Sequence, residues 1–367
     1  MKIPPMDLHD LRKRLNELDR QLIELIAERQ SVVEKVGEHK RAAGQATRDY
    51  AREKQVLDRV RAGAEELGIA PDVAEQVMRL LILTSLTRQE RARVRAEGQG
   101  DGQKALVIGG GGKMGRWFVD FLDSQGYAVT IADPVNMVEG FPCVPDWRTI
   151  SDSFAVTVVA APLKVSAHIL EEMAERGHAG LIFDIGSLKT PLVAALRKLA
   201  AAGARVTSLH PMFGPDAELL SGKHVLFLDA GCAEATSAAR ALFDSTMAQQ
   251  TEMELEEHDR LIAYVLGLSH VLNIAFFGVL AGSGESVPRL ADLSSTTFDA
   301  QLAVASKVAR ENPQLYFEIQ SLNKFGLEPL EALMGSLQTI IDCVRAGDEA
   351  AFVSLMERGR LYLEARR

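Results

Sequence analysis

Gly110, Gly112 and Gly115 stand in G-x-G-x-x-G spacing within KALVIGGGGKMG, residues 104–115. The apolar run Ala105–Ile108 precedes them and a helical pattern beginning at Lys113 follows. In a strand–turn–helix setting the three glycines permit a tight turn, close approach of backbone to a pyrophosphate, and close helix–strand packing. The helix start, with Met114 in its first turn, offers free N–H groups and a positive dipole end to phosphate; a ligand-free glycine turn is the plainer alternative. A second strand pattern, Ala128–Ala132, ends in Asp133, at about the 20-residue distance of an acid that binds a ribose 2′-hydroxyl. A carboxylate there repels a 2′-phosphate, which favours NAD over NADP. Pro162, where the strand pattern Phe154–Ala161 ends, joins the cofactor-binding positions.

A second group centres on His210, in SLHPMFGPD immediately past the predicted strand Arg205–Leu209. Open α/β sheets place their sites at that edge, and histidine is suited to proton exchange near neutral pH. A histidine that merely caps the strand is the competing reading.

The third group is cationic. Leu8, Leu11, Leu15, Leu18, Leu22, Leu25, Val32 and Val36 form a heptad seam, and Arg29 fills the slot between Leu25 and Val32. A buried guanidinium needs an anion, either a carboxylate side chain or a ligand. Lys40, eleven residues on, returns to within about 20° of the same face. An internal ion pair, for instance with Glu53, is the alternative. Asp49, Arg52 and Glu53 share one face of a following helix, and Ser85 shares a face with Gln89 on a third.

The elements that must position these groups divide the chain. The helix from Leu8 to about Ala43, weakened only by Gly37, would be about 50 Å long, too long for a compact 95-residue monomer; its seam calls for a second copy. Helices from about Arg48 to Leu67 and from Pro71 complete an all-α module over 1–96, with EGQGDGQ (97–103) as a polar linker. Residues 104–255 alternate strand and helix patterns, as a doubly wound α/β sheet requires. From Glu256 onward every pattern is helical, over about 256–282, 286–311, 313–345 and a last helix to Arg367, making an all-α C-terminal domain over 256–367. The Leu261, Val265, Leu268, Leu272 stripe reads as core with dimer contact.

Composition narrows the function classes. The 367 residues are 47% hydrophobic and 25% charged, ordinary for a globular protein of two or three domains. The net charge of −9 disfavours nucleic acid as a partner. Residues 1–95 nevertheless carry 19 Lys/Arg against 16 Asp/Glu, leaving the remainder at −12, and a basic N-terminal part suits an anionic small molecule. Cys143, Cys232 and Cys343 lack metal-ligand spacing. No N-terminal apolar region is visible and no apolar run approaches about 18 residues, so the expectation is a cytoplasmic protein with no membrane partner.

Arg12, Arg29, Lys40, Asp49, Arg52, Glu53, Ser85 and Gln89, with LRKRLNELDRQLIELIAERQ around the first of them, resemble the active-site set of the all-helical chorismate mutases. The glycine loop, DIGSLK, SLHPMFGPD, EEHD and LSST resemble prephenate dehydrogenase. Together the chain resembles the bifunctional chorismate mutase/prephenate dehydrogenase family of tyrosine biosynthesis. The resemblance implies that Arg12 (serving a partner's site), Arg29 and Arg52 grip the chorismate carboxylates and that Ser85 lines their pocket. Lys40 and Gln89 would donate to the ether oxygen, and Glu53 with Asp49 would hold the ring hydroxyl. His210 would take the ring-hydroxyl proton of prephenate, with Ser187, Lys189 and His270 near the substrate and NAD accepting hydride. It further implies a homodimer and tyrosine as feedback inhibitor. The family's carboxylate-clamping arginine is replaced by Lys307, which keeps the charge and loses the bidentate fork; Arg310 is an alternative clamp. An arogenate-using dehydrogenase, and a mutase fused to a non-catalytic domain sensing tyrosine or NAD, are the alternatives.

Overall fold

A computed structural model describes residues 7–365. The N-terminal helices are α1 (Leu8–Ala42), α2 (Tyr50–Glu66) and α3 (Pro71–Glu97). Asp7 caps α1 by accepting from Asp10 N, and Asp49 caps α2 by accepting from Arg52 N. Gly37 has a packing reason rather than a weakening one: a Cβ there would lie 3.0 Å from the Gln89 side chain, so the glycine lets α3 close on α1. The α1 seam leucines stay exposed, Leu8 at 65% and Leu25 at 62%.

Then follow β1 (Lys104–Ile108), α4 (Lys113–Ser124), β2 (Ala128–Ala132), β3 (Cys143–Val144), β4 (Val156–Val159), α5 (Leu163–Arg176), β5 (Leu181–Asp184), α6 (Val193–Ala201), β6 (Arg205–Pro211), β7 (His224–Asp229), α7 (Ala233–Ala241) and β8 (Gln249–Glu254). The sheet order is β3-β2-β1-β4-β5-β6-β7-β8, whose first six strands follow the dinucleotide-binding order. Pairing is parallel except between β6 and β7. Side chains alternate across the sheet. Ala105 and Val107 join Phe118 and Leu122 of α4 and Phe243 on one face; Leu106 and Ile108 join Leu170 of α5 and Leu196 of α6 on the other. Three strands, β3, β7 and β8, go beyond those expected; β7 (HVLFLD) carries a buried apolar run, whereas β3 has two residues and β8 (QQTEME) has no buried residue.

The linker is not a free tether. Gly100 N donates to Gln125 O at 3.0 Å and Gly102 N to Gly126 O at 2.8 Å. A Cβ on Gly100 would meet Gly126 C and Tyr127 N at 2.4 Å, so only glycine allows this approach. Val94 of α3 also enters the sheet core.

The C-terminal helices are α8 (Leu255–Ile262), continuing through a π-helical segment (Ala263–Leu268) into α9 (Ser269–Gly282), then α10 (Val287–Asp292), α11 (Thr296–Ala309), α12 (Pro313–Ser321), α13 (Leu327–Ala346) and α14 (Glu349–Glu364). Two expected helices are thus four. The break before α11 is capped by Ser295, which accepts from Phe298 N; the break before α13 turns at Asn323, whose side chain accepts from Phe325 N. The expectation that no apolar run is long enough for a membrane needs correction. The continuous stretch Leu255–Gly282, 28 residues at mean hydropathy 1.8 over its most apolar window, is long and apolar enough by length and composition. Its first turns are anchored by buried His258 and Asp259, and exposed Val265, Leu272 and Val279 lie beyond them.

Candidate active sites

In the helical domain, Arg29 of α1 and Ser85 of α3 meet directly. Arg29 Nη1 donates to Ser85 Oγ at 2.9 Å and to Leu81 O at 3.2 Å. Arg29 has no carboxylate partner among the described residues, and Glu53 is bound elsewhere, so the internal Arg29–Glu53 pair is excluded. Lys40 Nζ donates to Thr47 O at 2.9 Å, leaving two further protons, and Gln89 Nε2 donates to Val33 O at 2.9 Å. Asp49 serves as the α2 cap, and Arg52 is exposed with only a 3.4 Å contact to Gln55. Glu53 carries a bidentate pair with Arg48, Nε to Oε1 and Nη2 to Oε2, each at 2.9 Å. Arg12 projects from exposed α1. Two half-buried cations of α1 without anionic partners among the described residues, exposed Arg52 of α2, and the polar Ser85 and Gln89 of α3 are an arrangement that suits a small anion bearing carboxylates.

In the sheet domain, the turn after β1 is made by Gly109, at φ +80, which the G-x-G-x-x-G register does not single out. A Cβ on Gly115 would lie 2.1 Å from Gly109 O, so α4 can start against the turn only with glycine there. Gly112 is the residue before α4, and no side chain caps that helix, leaving its first N–H groups available to phosphate. Asp133 accepts from Gly111 N at 3.0 Å, Val135 N at 3.0 Å and Asn136 N at 2.8 Å. It therefore braces the loop as well as standing where a ribose-binding acid is expected. Met114 packs against the core on the sheet's α4 face and Pro162 precedes α5. These residues fit a dinucleotide: backbone is accessible, a helix start is uncapped, and an acid ends β2.

His210 lies inside β6, paired with Leu226 of β7, rather than past the strand end; the antiparallel β7 extends β6 by two residues. It is 4% exposed. Its Nδ1 is 2.8 Å from His258 Nε2, and His258 Nδ1 is 2.6 Å from Asp259 Oδ1. Asp259 also accepts from Lys189 N, Thr190 N and Thr190 Oγ1. Burial alone would push its carboxyl up, yet the His258, Thr190 and backbone donors outweigh that and hold it down at about 2. Ionised Asp259 must accept a proton from His258 Nδ1, so His258 Nε2 is an acceptor, His210 Nδ1 the donor, and His210 Nε2 a bare lone pair. Burial, then the neighbouring His258 and Lys189, lower the His210 pKa well below its ordinary value, keeping that lone pair free.

Lys189, expected near the substrate, spends its ammonium inside the protein. It is fully buried, Nζ donating to Asp184 Oδ1 at 2.7 Å and Leu209 O at 2.8 Å. Because β5 and β6 neighbour each other, the lysine stitches their C-terminal ends together and fixes the residue before His210; it positions rather than touches. Ser187 Oγ and His270 Nδ1 are buried without a hydrogen-bond partner among the described residues. His270 stacks on Tyr316 of α12 with centroids 4.2 Å apart. Phe276 meets Phe298 and Asn273 meets Gln301, so α9 and α11 run antiparallel. Lys307, late in α11, thus lies toward the end of α9 that carries His270. It is exposed, as is Arg310. His258, Asp259 and Arg48 are missed as site residues by sequence reading; the EEHD segment carried the signal for the first two.

Three family models match the chain: chorismate mutase type II over residues 11–90, the prephenate dehydrogenase nucleotide-binding domain over 129–236, and the prephenate dehydrogenase dimerization domain over 254–358. A T-protein of Enterobacter agglomerans is 26% identical over 352 residues, 96% of this chain and 92% of that one. A 4-amino-4-deoxyprephenate dehydrogenase of Streptomyces pristinaespiralis is 30% identical over 263 residues, 69% of this chain and 88% of that one. The chain belongs to the bifunctional chorismate mutase/prephenate dehydrogenase family. It is an isomerase and an NAD-dependent oxidoreductase of tyrosine biosynthesis in one chain. A solved prephenate dehydrogenase from A. aeolicus, in complex with hydroxyphenyl propionate and NAD+, shares the fold of the family's dehydrogenase part at a TM-score of 0.56 and 19% identity, covering 72% of this chain and 98% of that one.

Proposed function

We propose that residues 1–96 rearrange chorismate to prephenate, that 104–255 hold NAD, and that 256–367 complete the dehydrogenase site and pair two copies, with 97–103 as the strap between. The Asp259–His258–His210 chain, ending in a bare Nε2, is the observation that carries the dehydrogenase assignment. In this reading Arg12, Arg29 and Arg52 bind the chorismate carboxylates beside Ser85. Lys40 and Gln89 donate to the ether oxygen, where charge develops as the bond breaks. Glu53 and Asp49 receive the ring hydroxyl. No nucleophile is needed; orientation and electrostatics supply the catalysis.

For prephenate, His210 Nε2 takes the ring-hydroxyl proton, which prepares that carbon to give up its hydrogen with both electrons. NAD, when bound, supplies the acceptor for that hydride. Cleavage of the ring carboxylate as CO2 leaves its electron pair in the ring, giving 4-hydroxyphenylpyruvate. Gly110, Gly112, Gly115 and the α4 N-terminus would hold the pyrophosphate and Asp133 the ribose. Ser187 and His270 offer their unpaired atoms to substrate, and Lys307 its charge to a carboxylate.

A second reading concerns the ring substituent and side chain. The 30% identical relative is named for a substrate with an amino group in place of the ring hydroxyl, and neutral His210 could take a proton from an ammonium as readily. Arogenate, with a side-chain amine, is the other candidate. NADH formation from prephenate, arogenate and 4-amino-4-deoxyprephenate, measured side by side, ranks the three; prephenate giving the highest kcat/KM supports the first reading, and either amine exceeding it tenfold replaces it. A homodimer covering the α1 seam and the exposed apolar faces of α9 and α13, a cytoplasmic location and tyrosine feedback inhibition belong to the same proposal. Sedimentation at falling protein concentration tests the first, and inhibition of NADH formation by added tyrosine the last.

A further inference from the structure

The connection between β6 and β7, Met212–Lys223, begins two residues after His210 and ends its outward course against the helical domain. Three contacts hold it. Trp117 Nε1 of α4 donates to Ala217 O at 3.0 Å. Leu220 N donates to Glu90 Oε2 at 2.8 Å, while Met247 N donates to Glu90 Oε1 at 2.5 Å. Glu90 is the neighbour of Gln89 on α3 and is 3% exposed. Burial raises its carboxyl pKa against the pull of those two N–H groups. The residue after Leu220 is Ser221, and its Oγ accepts from Arg48 Nη1 at 2.7 Å.

Arg48 gives two further donors to Glu53, one to each carboxylate oxygen. A guanidinium is a rigid plane. Anchoring Nη1 at Ser221 while the guanidinium lies over Tyr50 therefore restrains the plane, and the plane orients both oxygens of Glu53. Tyr50 supports the guanidinium from one face, 4.5 Å from the ring centroid. Both partners are largely covered, with side-chain exposures of 23% and 19%, so water screens the pair little. Each Glu53 oxygen still has a lone pair for a substrate hydroxyl after accepting from Arg48.

We propose that Arg48 is a positioning residue of the mutase site and that Ser221, from the dehydrogenase half, sets its geometry. The helical domain then reaches full mutase activity only when docked on the β6–β7 connection. This rests on the role given above to Glu53.

The test uses the full chain and follows chorismate consumption beside NADH formation from prephenate. Arg48→Ala should lower mutase kcat/KM about 10- to 100-fold, the scale of a lost charge-assisted bond, and leave the dehydrogenase rate within about twofold. Arg48→Lys, a point charge without the fork, should not restore it. Ser221→Ala should cost the mutase about threefold to tenfold, chiefly in kcat, and Ser221→Thr, which keeps the hydroxyl, should recover it. A purely structural role would lower both activities together and gain nothing from the hydroxyl. Mutase activity unchanged in Arg48→Ala while Glu53→Ala is inactive overturns this inference alone. Full activity in Glu53→Ala overturns it together with the role of Glu53.

Discussion

The two sites of this chain prepare their charges in opposite ways. In the helical domain the cations Arg29, Lys40 and Arg52 are half-buried or exposed, and none has a carboxylate partner among the described residues. Around His210 the charges are enclosed and matched, Lys189 with Asp184 and Asp259 with His258 and Thr190, while Lys307 on α11 is exposed. The rearrangement needs no proton transfer, so in the proposed reading its cations are kept for the carboxylates of the substrate. Oxidation needs a base in one tautomer and one protonation state. Only an ionised, multiply hydrogen-bonded acid behind it can hold that state in a site closed to water. Unmatched charge belongs where the ligand is ionic, and matched charge where a proton moves.

The sharpest way to break this contrast is His210→Asn. The dehydrogenase kcat should fall about 1,000-fold, within the range for loss of a general base, with chorismate consumption unchanged; a parallel loss of both would mean the sites are not separate. Next, Arg29→Ala should lower mutase kcat/KM about 100-fold and leave NADH formation intact. A smaller effect would mean that Ser85 and Leu81 O were the guanidinium's true partners.

His258→Leu removes the acceptor behind His210 and should reduce kcat about 30-fold, an intermediate value for a residue acting through another. His258→Asn, whose amide oxygen can accept from His210 Nδ1, should retain more activity. Lys307→Ala should raise KM for prephenate about tenfold with kcat nearly held, while Lys307→Arg, restoring a fork, should lower KM.

The smallest effect concerns pH. Because burial depresses His210 and His258, kcat/KM for NADH formation should stay level as pH falls through about 6.5, the ordinary histidine value. Over that same window the unfolded chain gains protons that the folded chain does not, so stability should decline as pH drops below about 6.5. An acid limb at 6.5 in the rate, with no change in stability, would place His210 in contact with water.

Much was legible from residue types and spacing alone. The seam that runs Leu8 to Val36, the glycine loop and Asp133 are local patterns: each needs only helical or strand periodicity and a turn, properties of a short stretch of chain. The misplaced and missed features are those that depend on a distant partner. His210 seemed to lie beyond its strand because β7, whose pairing lengthens β6, is 14 residues further on. Lys189 was expected near the substrate from the resemblance, and nothing in DIGSLK reveals that Leu209 O and Asp184 enclose its ammonium. The C-terminal helices ran together on paper because a capping serine and a turning asparagine act through backbone N–H groups.

What the sequence determined by itself is therefore the inventory: three domains, the cations and the dinucleotide loop, set by composition and period, with a base at His210 implied by the resemblance. What only the tertiary structure decided is which charge meets which. Ser221 meets Arg48 across 173 positions, and Glu90 binds Leu220 across 130. Hydrogen bonds are directional and short, so such pairs exist only once the helical domain and the sheet have docked.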